Sequence, residues 1–277
     1  MNITLQTNKP GNLQSFGNCG KMYKSAETVY SGILSKDQVY TTTSLFRPHL
    51  DWNKFINYVI ENFKNKEKVN IYSLGCSDGS EAYSYAIALT EKLPKSQHQK
   101  YLPIMAFDID SEVIQAAQSG KINLTNDDFN AITKNIDIDK YGIGDNWHKK
   151  FFQKAGSALK IGNDISREDF QSIYNPRYSY TPAGNIKDSV KFYESDVLSA
   201  INRINDDGNS IVNTCHVLSY CEDFYVEKVL NALGEKLKPG SIYVFDKFYL
   251  EPSFIEKIQN RGFILPDKNM CFAKKLS

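Results

Sequence analysis

Apolar residues along the chain repeat in two patterns, one typical of amphipathic helices and the other of buried strands. A first helical face is formed by Trp52, Phe55, Ile56, Val59, Ile60 and Phe63. The short apolar run 69–74 then predicts a buried strand. Apolar positions at helical spacing over 83–93 predict a second helix, which ends at Pro94 because proline cannot continue it.

The alternation of strands and helices continues through the rest of the chain. The further predicted strands are 102–107, 189–194, 210–214 and 242–245. Predicted helices cover 111–118, closed by Gly120, and 226–237. The runs 262–265 and 270–273 flank a Pro-Asp turn and predict an antiparallel hairpin. This order predicts an α/β fold with a Rossmann-like, doubly wound, mostly parallel sheet and a C-terminal antiparallel hairpin.

Residues 121–187 do not follow this alternation. They are polar and rich in Asn, Asp and Lys, with isolated aromatic residues and no clear period. A segment of this length is typical of a substrate-facing cap, so we predict an inserted cap region here. We expect one domain over 41–277, preceded by an irregular or partly helical lead-in over 1–40.

Charge and composition narrow the classes of function. The 277 residues carry 33 basic and 32 acidic side chains, so the net charge gives no reason to bind nucleic acid. No stretch approaches the roughly 18 apolar residues that a membrane helix needs, and the N terminus lacks a signal-peptide pattern. We therefore expect no nucleic acid partner, no membrane insertion and a cytoplasmic location.

The cysteines give little indication of a metal site or of disulfides. The chain has five, an odd number, and they are scattered without a C-x-x-C pair. Its four histidines are not spaced as paired metal ligands either. We therefore expect small buried thiols in a reducing compartment, with neither a zinc site nor a disulfide framework.

A glycine-containing turn follows the first predicted strand directly. Residues 75–79 read Gly-Cys-Ser-Asp-Gly, which fits the G-x-S-x-G pattern of a hydrolase nucleophile elbow. The same stretch resembles a glycine loop that holds a nucleotide, since Gly75 and Gly79 would allow a ligand close to the backbone. Both alternatives place the turn between a strand and a helix.

Residues after the other strands support the nucleotide alternative, because a doubly wound sheet binds its ligand across the carboxyl ends of its strands. Asp108 follows the second strand and is placed to accept hydrogen bonds from two ribose hydroxyls. Asp196 and Val197 follow the third and can flank a flat base, one by hydrogen bonding and the other by apolar contact. This arrangement predicts a cofactor that contains adenosine.

One charge distinguishes between such cofactors. The turn lacks a full G-x-G-x-x-G, and Glu81 places a carboxylate in the first helical turn, where it would repel a pyrophosphate such as that of NAD. A carboxylate is compatible with the amine and the sulfonium of S-adenosylmethionine (SAM). The sequence therefore predicts SAM as the cofactor and S-adenosylhomocysteine (SAH) as its product.

The hydrolase alternative requires an acid and then a histidine after Ser77. His148 and His216 follow Ser77, and Asp196 precedes His216, so a catalytic triad stays open at this point. In that fold, however, the elbow follows several strands, whereas Ser77 would follow the first.

Four segments carry a family resemblance in their order along the chain: 43–47 (TSLFR), 77–84 (SDGSEAYS), 107–113 (FDIDSEV) and 212–220 (VNTCHVLSY). They resemble the CheR-type chemotaxis receptor methyltransferases, which use SAM to esterify glutamate side chains of receptors. The resemblance covers residues 41–277 at the level of a superfamily. It implies cofactor contacts at Gly75, Ser77, Gly79, Glu81, Asp108, Ile109, Asp196 and Val197.

Three further residues would serve catalysis in such an enzyme. By the resemblance, Arg47 lies near the transferred methyl group and Tyr220 matches a tyrosine of the active site. Arg47 would grip an acceptor carboxylate, whose ionised form needs no base near neutral pH. His216 stands where the family has asparagine, and it could act as general base for a hydroxyl or amine acceptor.

The sequence thus predicts a SAM-dependent methyltransferase, with a protein carboxylate as the acceptor that the resemblance suggests. Two alternatives come from other classes of protein. One is a non-catalytic module that binds SAM or SAH as a sensor or scaffold, and the other is a hydrolase that uses Ser77.

Overall fold

A computed structural model of the chain describes a core and part of the inserted region. The described residues are 45–47, 50–120, 122–124, 150–154, 178–215, 217–218, 221 and 223–276. The predicted lead-in over 1–40 lies outside them, as do most of 121–187 and the predicted catalytic residues His216 and Tyr220.

The described residues form helices and strands in the alternation that the sequence predicts. The helices are α1 (Trp52–Asn62), α2 (Ser80–Lys92), α3 (His98–Tyr101), α4 (Ser111–Ser119), α5 (Gly184–Lys187), α6 (Val197–Asn202), α7 (Asp223–Lys236) and α8 (Pro252–Gln259). The strands are β1 (Asn70–Leu74), β2 (Ile104–Asp108), β3 (Ile122–Leu124), β4 (Phe152–Lys154), β5 (Tyr178–Pro182), β6 (Val190–Glu194), β7 (Ser210–Asn213), β8 (Ile242–Val244), β9 (Phe263–Ile264) and β10 (Phe272–Lys275). None of the described helices is long and apolar enough to cross a membrane.

Seven strands form one sheet in the order β6-β2-β1-β7-β8-β10-β9. Strands β6, β2, β1, β7 and β8 run parallel, and β10 is antiparallel to both β8 and β9. The chain builds the sheet outward from β1 to β6 and then returns to place β7 on the other side of β1. Such a reversal is where doubly wound sheets bind ligands. The predicted Rossmann-like sheet with a C-terminal antiparallel hairpin is therefore confirmed.

Apolar side chains cover both faces of this sheet. Those of α1 and α2 form one buried cluster, and those of α6, α7 and α8 form the other. Alternation along β1 separates the two clusters, since Ile71 belongs to the first and its neighbour Tyr72 to the second. The buried face of α1 is the predicted one, and Asp51 caps this helix by accepting from the Lys54 N–H at 3.0 Å.

Four helices are not predicted from the sequence. Helices α3 and α5 have 4 residues each, α6 begins at Val197, and α8 begins at Pro252. Helix α6 has 6 residues, too few for an apolar period to be visible. The proline in the first turn of α8 is a recognised start signal, since its fixed φ suits that position.

The described part of the inserted region forms a second, antiparallel sheet of order β3-β5-β4. Phe151, Phe152 and Tyr180 are buried in the cluster that also contains α1 and α2. Lys150 forms an ion pair with Glu91 of α2. These residues are thus part of the packed core, while a substrate-facing role for the insertion stays a prediction.

The cysteines follow the expectation in part. Cys76, Cys215 and Cys271 are buried thiols. Cys221 is disulfide-bonded, and its partner lies outside the described residues. The sequence predicts no disulfide framework, and it did not reveal this single disulfide, because spacing along a sequence does not show which cysteines meet in space.

Candidate functional site

The turn after β1 is held by the end of β2. Its Gly75 N–H donates to the Phe107 carbonyl at 2.7 Å, and its Ser77 N–H donates to Asp108 Oδ2 at 3.0 Å. Gly75, Ser77 and Gly79 have positive φ values of 73°, 50° and 87°. For a serine this conformation costs on the order of 1 kcal/mol or more, and such strain concentrates at functional sites. The hydrogen bond that the Ser77 N–H donates to Asp108 holds the serine in place.

Packing within the protein requires both glycines of the turn. A Cβ on Gly75 would lie 2.0 Å from Cγ2 of Val217, which belongs to the segment after β7. A Cβ on Gly79 would lie 2.6 Å from the Phe192 ring on β6. Side chains of the protein therefore fill these spaces, and contact of the two glycines with a ligand stays a prediction.

Asp108 supports the turn and keeps capacity for further hydrogen bonds. Its two oxygens accept from the N–H groups of Ser77 and Asp110, at 3.0 and 3.1 Å. A carboxylate has about four lone-pair sites, and the Ile109 N–H also interacts with this one, so at least one site remains for a ligand. Burial raises the pKa of Asp108 above its usual 3.8, and the bonds from backbone N–H groups oppose this shift. The cap of α4 is instead Asp110, which accepts from the Glu112 N–H.

A buried ion pair lies at the first turn of α2. Nε of Arg47 is 3.8 Å from Oε1 of Glu81, and the two side chains are 7% and 6% exposed. This separation exceeds the range of a hydrogen bond, and the Arg47 Nε is buried without a hydrogen-bond partner. The two charges therefore neutralise each other without using up the hydrogen-bonding capacity of either group.

Other buried polar groups surround this pair. The pKa values of the Tyr85 hydroxyl and the Cys215 thiol are raised well above normal, mainly by burial and then by the charge of Glu81. Oδ1 of Asn213 accepts from the Cys215 N–H at 2.9 Å. The Tyr85 hydroxyl and Nδ2 of Asn213 are buried without a partner. Unused hydrogen-bonding groups are rare in protein interiors and are expected where a ligand binds.

The segment that carries Arg47 is fixed to α2. Phe46 has a φ of 48°, and its N–H donates to Oγ of Ser84 at 2.8 Å. Ser84 Oγ in turn donates to the Ser80 carbonyl at 2.8 Å. On the other side, the Trp52 indole N–H donates to the Arg47 carbonyl at 3.2 Å. These bonds bring Arg47 to the first turn of the helix.

The predicted adenine-site residues lie at the end of β6, next to the end of β2. The Ser195 N–H donates to the Asp108 carbonyl at 2.8 Å and joins the two strand ends. Asp196 is the N-cap of α6 and accepts from the Ser199 N–H at 3.0 Å. Val197 is 7% exposed and packs in the apolar cluster below the sheet. Both residues thus have structural roles, and their contact with a base stays a prediction.

The predicted site residues that are described therefore meet at one edge of the sheet. Gly75, Ser77 and Gly79 form the turn, and Asp108 is bonded to it. Ile109 follows Asp108 and is half-buried. Glu81 begins the next helix with Arg47 beside it, and Asp196 and Val197 stand at the neighbouring strand end. His216 and Tyr220 lie outside the described part of the chain.

The hydrolase alternative finds little support in the turn. A nucleophile elbow exposes its serine oxygen above the sheet and bonds it to a base. The Ser77 Oγ is buried and has no hydrogen-bond partner in the described structure. The backbone strain of Ser77 is compatible with an elbow, but the burial of its side-chain oxygen is not.

The charges at this edge fit the predicted cofactor. Glu81 and Asp108 are carboxylates with acceptor capacity left, which suits an ammonium and a pair of ribose hydroxyls. They would repel a pyrophosphate. Within the described residues, no group of three His, Cys, Asp or Glu side chains is placed to hold a metal ion. The residues therefore fit SAM better than a dinucleotide.

Residues 41–166 match the family model described as CheR methyltransferase, SAM binding domain. Over these residues the chain is similar to a CheR-type SAM-binding domain. The resemblance read from the sequence and the choice of SAM as cofactor are thereby confirmed. A further relative is chemotaxis protein methyltransferase 2 of Vibrio cholerae serotype O1, 26% identical over 176 residues, which are 64% of this chain and 49% of that protein. The chain spans about half the length of this relative.

Solved structures of methyltransferases overlap with this chain only in part. Precorrin-6y C5,15-methyltransferase from Geobacter metallireducens GS-15 has a TM-score of 0.35 and 8% identity, over 76% of this chain and 72% of that one. A SAM-dependent methyltransferase from Clostridium acetobutylicum ATCC 824 has a TM-score of 0.31 and 14% identity, over 80% and 56%. Likenesses this low carry no functional argument.

The sequence did not point to several residues that shape the site. Phe192 and Val217 fill the space beside the two glycines, and no sequence pattern marks such contacts. Asn213 and Ser84 could have been found, since each is a polar residue inside an apolar strand or on a buried helix face. Polar residues in such positions usually have a specific partner.

Proposed function

We propose that this chain is a methyltransferase that moves the methyl group of SAM to a carboxylate of a protein. The observation that carries the proposal is the buried Glu81, balanced by Arg47, directly after the glycine turn of a CheR-type SAM-binding domain. The printed name of the Vibrio cholerae relative speaks of a protein as acceptor, and we extend that acceptor class to this chain.

The cofactor would be held by the residues that meet at the sheet edge. Glu81 would accept hydrogen bonds from its ammonium group, and Asp108 from its ribose hydroxyls. Ser77, Ile109 and the two glycines would shape the turn against it. Asp196 and Val197 would lie beside the adenine ring.

Methyl transfer from SAM to a carboxylate requires little of the protein beyond the placement of the two reactants. Bound SAM supplies an electrophilic methyl group on a sulfonium. The acceptor oxygen forms a new bond to that carbon while the bond from carbon to sulfur breaks, and its electron pair stays on sulfur. A carboxylate acceptor is already ionised near neutral pH, so no proton has to be removed. Catalysis would then come from alignment and from exclusion of water. Tyr220 would orient the acceptor.

A labelling experiment tests the proposal. The purified protein is incubated with methyl-labelled SAM and a cell extract, and the protein fraction is then treated with mild base. A carboxyl methyl ester releases volatile labelled methanol under these conditions, whereas methylated amines and ethers do not. We expect base-labile label with the native protein and none with an Asp108→Ala variant. Base-stable label would contradict the carboxylate acceptor and would favour a role for His216 as general base.

A second candidate function is a module that binds SAM or SAH without transfer. One feature favours it: by the resemblance of the segment 212–220, Cys215 stands where that family has an arginine, and its thiol is 2% exposed with a strongly raised pKa. A buried neutral thiol cannot replace the charge of a guanidinium. Tight binding of SAH together with no transfer to any acceptor fraction would support this candidate.

A further inference from the structure

We infer that Arg47 is a positioning residue of the cofactor site: its guanidinium is the counter-ion that holds the Glu81 carboxylate oriented for the ammonium group of SAM. The inference rests on the proposed function and deepens it. It differs from the role suggested by the sequence, in which Arg47 grips the acceptor.

The distance between the two groups supports this role. At 3.8 Å from Nε to Oε1, the guanidinium supplies a positive charge but makes no close hydrogen bond with the carboxylate. Oxygens of Glu81 therefore keep lone pairs for a second cation. If Arg47 were a closed partner of Glu81, an ammonium group would have to displace it.

Burial explains why Glu81 needs a counter-ion. Its side chain is 6% exposed, and a buried carboxylate without a partner is costly to the fold. Arg47, itself 7% exposed, lies beside it and offsets this cost.

The other titratable groups that face Glu81 cannot act as its counter-ion. They are Tyr85 on the same helix, Cys76 in the glycine turn and Cys215 after β7. A phenol or a thiol is neutral or negative in every protonation state, so none of the three can supply a positive charge. Arg47 is thus the positive charge that balances Glu81 within the described structure.

The local backbone places the Arg47 side chain beside Glu81. Phe46 occupies the left-handed region with a φ of 48°, which costs a phenylalanine on the order of 1 kcal/mol or more. The bond from its N–H to Ser84 Oγ, at 2.8 Å, offsets the strain and fixes the next residue at α2. Strain of this kind persists where the surrounding structure demands one conformation.

Calorimetric titration with two ligands tests the inference. The first ligand is SAH, and the second is its desamino analogue, which keeps the carboxylate and lacks only the amino group. We expect Arg47→Gln to weaken SAH binding by about tenfold to a hundredfold, the range of one hydrogen bond between charged groups. Binding of the desamino analogue should change by less than about threefold. Arg47→Lys restores the charge and should recover most of the SAH affinity.

Two controls make the result decisive. Arg203→Gln removes an exposed arginine at the end of α6 and should leave the affinity for both ligands unchanged. The double variant Arg47→Gln/Glu81→Gln avoids an unpaired buried charge, so it should fold even where the single variant does not. It should bind SAH no more weakly than Glu81→Gln alone, because both changes remove the same interaction.

The outcomes separate this inference from the proposed function. If the native protein does not bind SAH at all, the proposed function fails. If it binds SAH and Arg47→Gln binds equally well, Arg47 does not act on the cofactor. If Arg47→Gln loses SAH and the desamino analogue alike, Arg47 holds another part of the ligand or the fold, and the inference is overturned.

Discussion

Asp108 and Glu81 are both carboxylates assigned to the same cofactor, yet the structure surrounds them differently. Asp108 lies at the end of β2 and accepts two backbone N–H groups, from Ser77 and Asp110. Glu81 lies in the first turn of α2 and faces the side chain of Arg47. One carboxylate is tied to the main chain, and the other is balanced by a side-chain charge.

The two carboxylates therefore have different roles: Asp108 maintains the shape of the glycine turn, and Glu81 supplies a negative charge. Because Asp108 holds the strained Ser77, its loss should disturb the glycine turn and the ligand together. Glu81 makes no side-chain hydrogen bond to the turn in the described structure, so its loss should leave the turn in place and should affect the ligand and the buried charge of Arg47. Substitutions at the two positions therefore give different combinations of stability and affinity, and four predictions follow from that contrast in order of size.

The largest effect is expected for Asp108→Ala. This change removes the acceptor of the Ser77 and Asp110 N–H groups and should lower SAH affinity by more than about a hundredfold. It should also lower the free energy of unfolding by about 1–3 kcal/mol, the usual cost of leaving buried donors without a partner. Calorimetric titration with SAH and denaturation in urea measure the two quantities.

Asp110→Ala is the matched control for this variant, since Asp110 is an aspartate in the same turn that caps α4. It should cost about 1 kcal/mol of stability through the lost cap and leave SAH affinity within about threefold. Equal SAH affinity for the two variants would show that Asp108 does not contact the cofactor.

The second effect concerns the shape of the turn. Gly75→Ala places a Cβ at a φ of 73° and 2.0 Å from Val217, so we expect a loss of about 2 kcal/mol of unfolding free energy. Val217→Ala added to it should recover part of this loss by making room. Gly184→Ala, where a Cβ would meet nothing within 4 Å, should be nearly neutral. Thermal denaturation compares the melting temperatures of these variants. Equal melting temperatures for all three would contradict the account.

The third effect is a pH dependence that belongs to Asp108. Its pKa is raised above 3.8 in the folded protein, mainly by burial, so the folded state binds this proton more tightly than the unfolded state. The stability that this proton contributes is present below pH 3.8 and is lost as pH rises through the raised value. Asp108→Asn cannot titrate and lacks the dependence.

Urea denaturation of both proteins over about pH 3.5 to pH 7 measures this difference. The unfolding free energy of the native protein minus that of Asp108→Asn should fall as pH rises. A difference that rose with pH would mean that the folded protein favours the ionised form of Asp108, against the burial that the structure shows.

The smallest effect is expected for Ser84→Ala, which sharpens the account of Glu81. Without its hydroxyl, the Phe46 N–H loses its acceptor and Arg47 is held less firmly beside Glu81. We expect SAH affinity to fall by about threefold to tenfold and stability by about 1 kcal/mol. Ser119→Ala, at an exposed serine that bonds to its own helix, should change neither quantity. An unchanged SAH affinity in Ser84→Ala would show that the bond from the Phe46 N–H to Ser84 does not help to place Arg47 beside Glu81.

Much of this fold could be predicted because its strands and long helices have clear apolar periods. The parallel strands along the chain, the hairpin after Gly262 and the end of α4 at Gly120 were all visible in the pattern. Helix α6 was missed because 6 residues do not show a helical period. The disulfide at Cys221 was missed because pairing in space leaves no mark on spacing.

The sequence predicted where the residues of the candidate site lie in the fold, but not which of them contact each other. The strand ends placed Asp108, Asp196 and the glycine turn at one edge, since parallel strands end together. The pairing of Arg47 with Glu81 could not be predicted, because these residues are far apart in sequence and no periodic pattern joins them. The contact of Gly75 with Val217 depends in the same way on the packing of two loops.

The most direct test of the central claim is the calorimetric titration of the native protein and Glu81→Gln with SAH near neutral pH. We predict binding with a dissociation constant on the order of micromolar by the native protein, weakened by about tenfold to a hundredfold in Glu81→Gln. The unfolding free energy should be about 3–5 kcal/mol lower in Glu81→Gln, because the change leaves the buried charge of Arg47 without a partner, so the titration is made on protein shown to be folded. Absence of SAH binding by a folded native protein, or equal binding by the variant, would contradict the account.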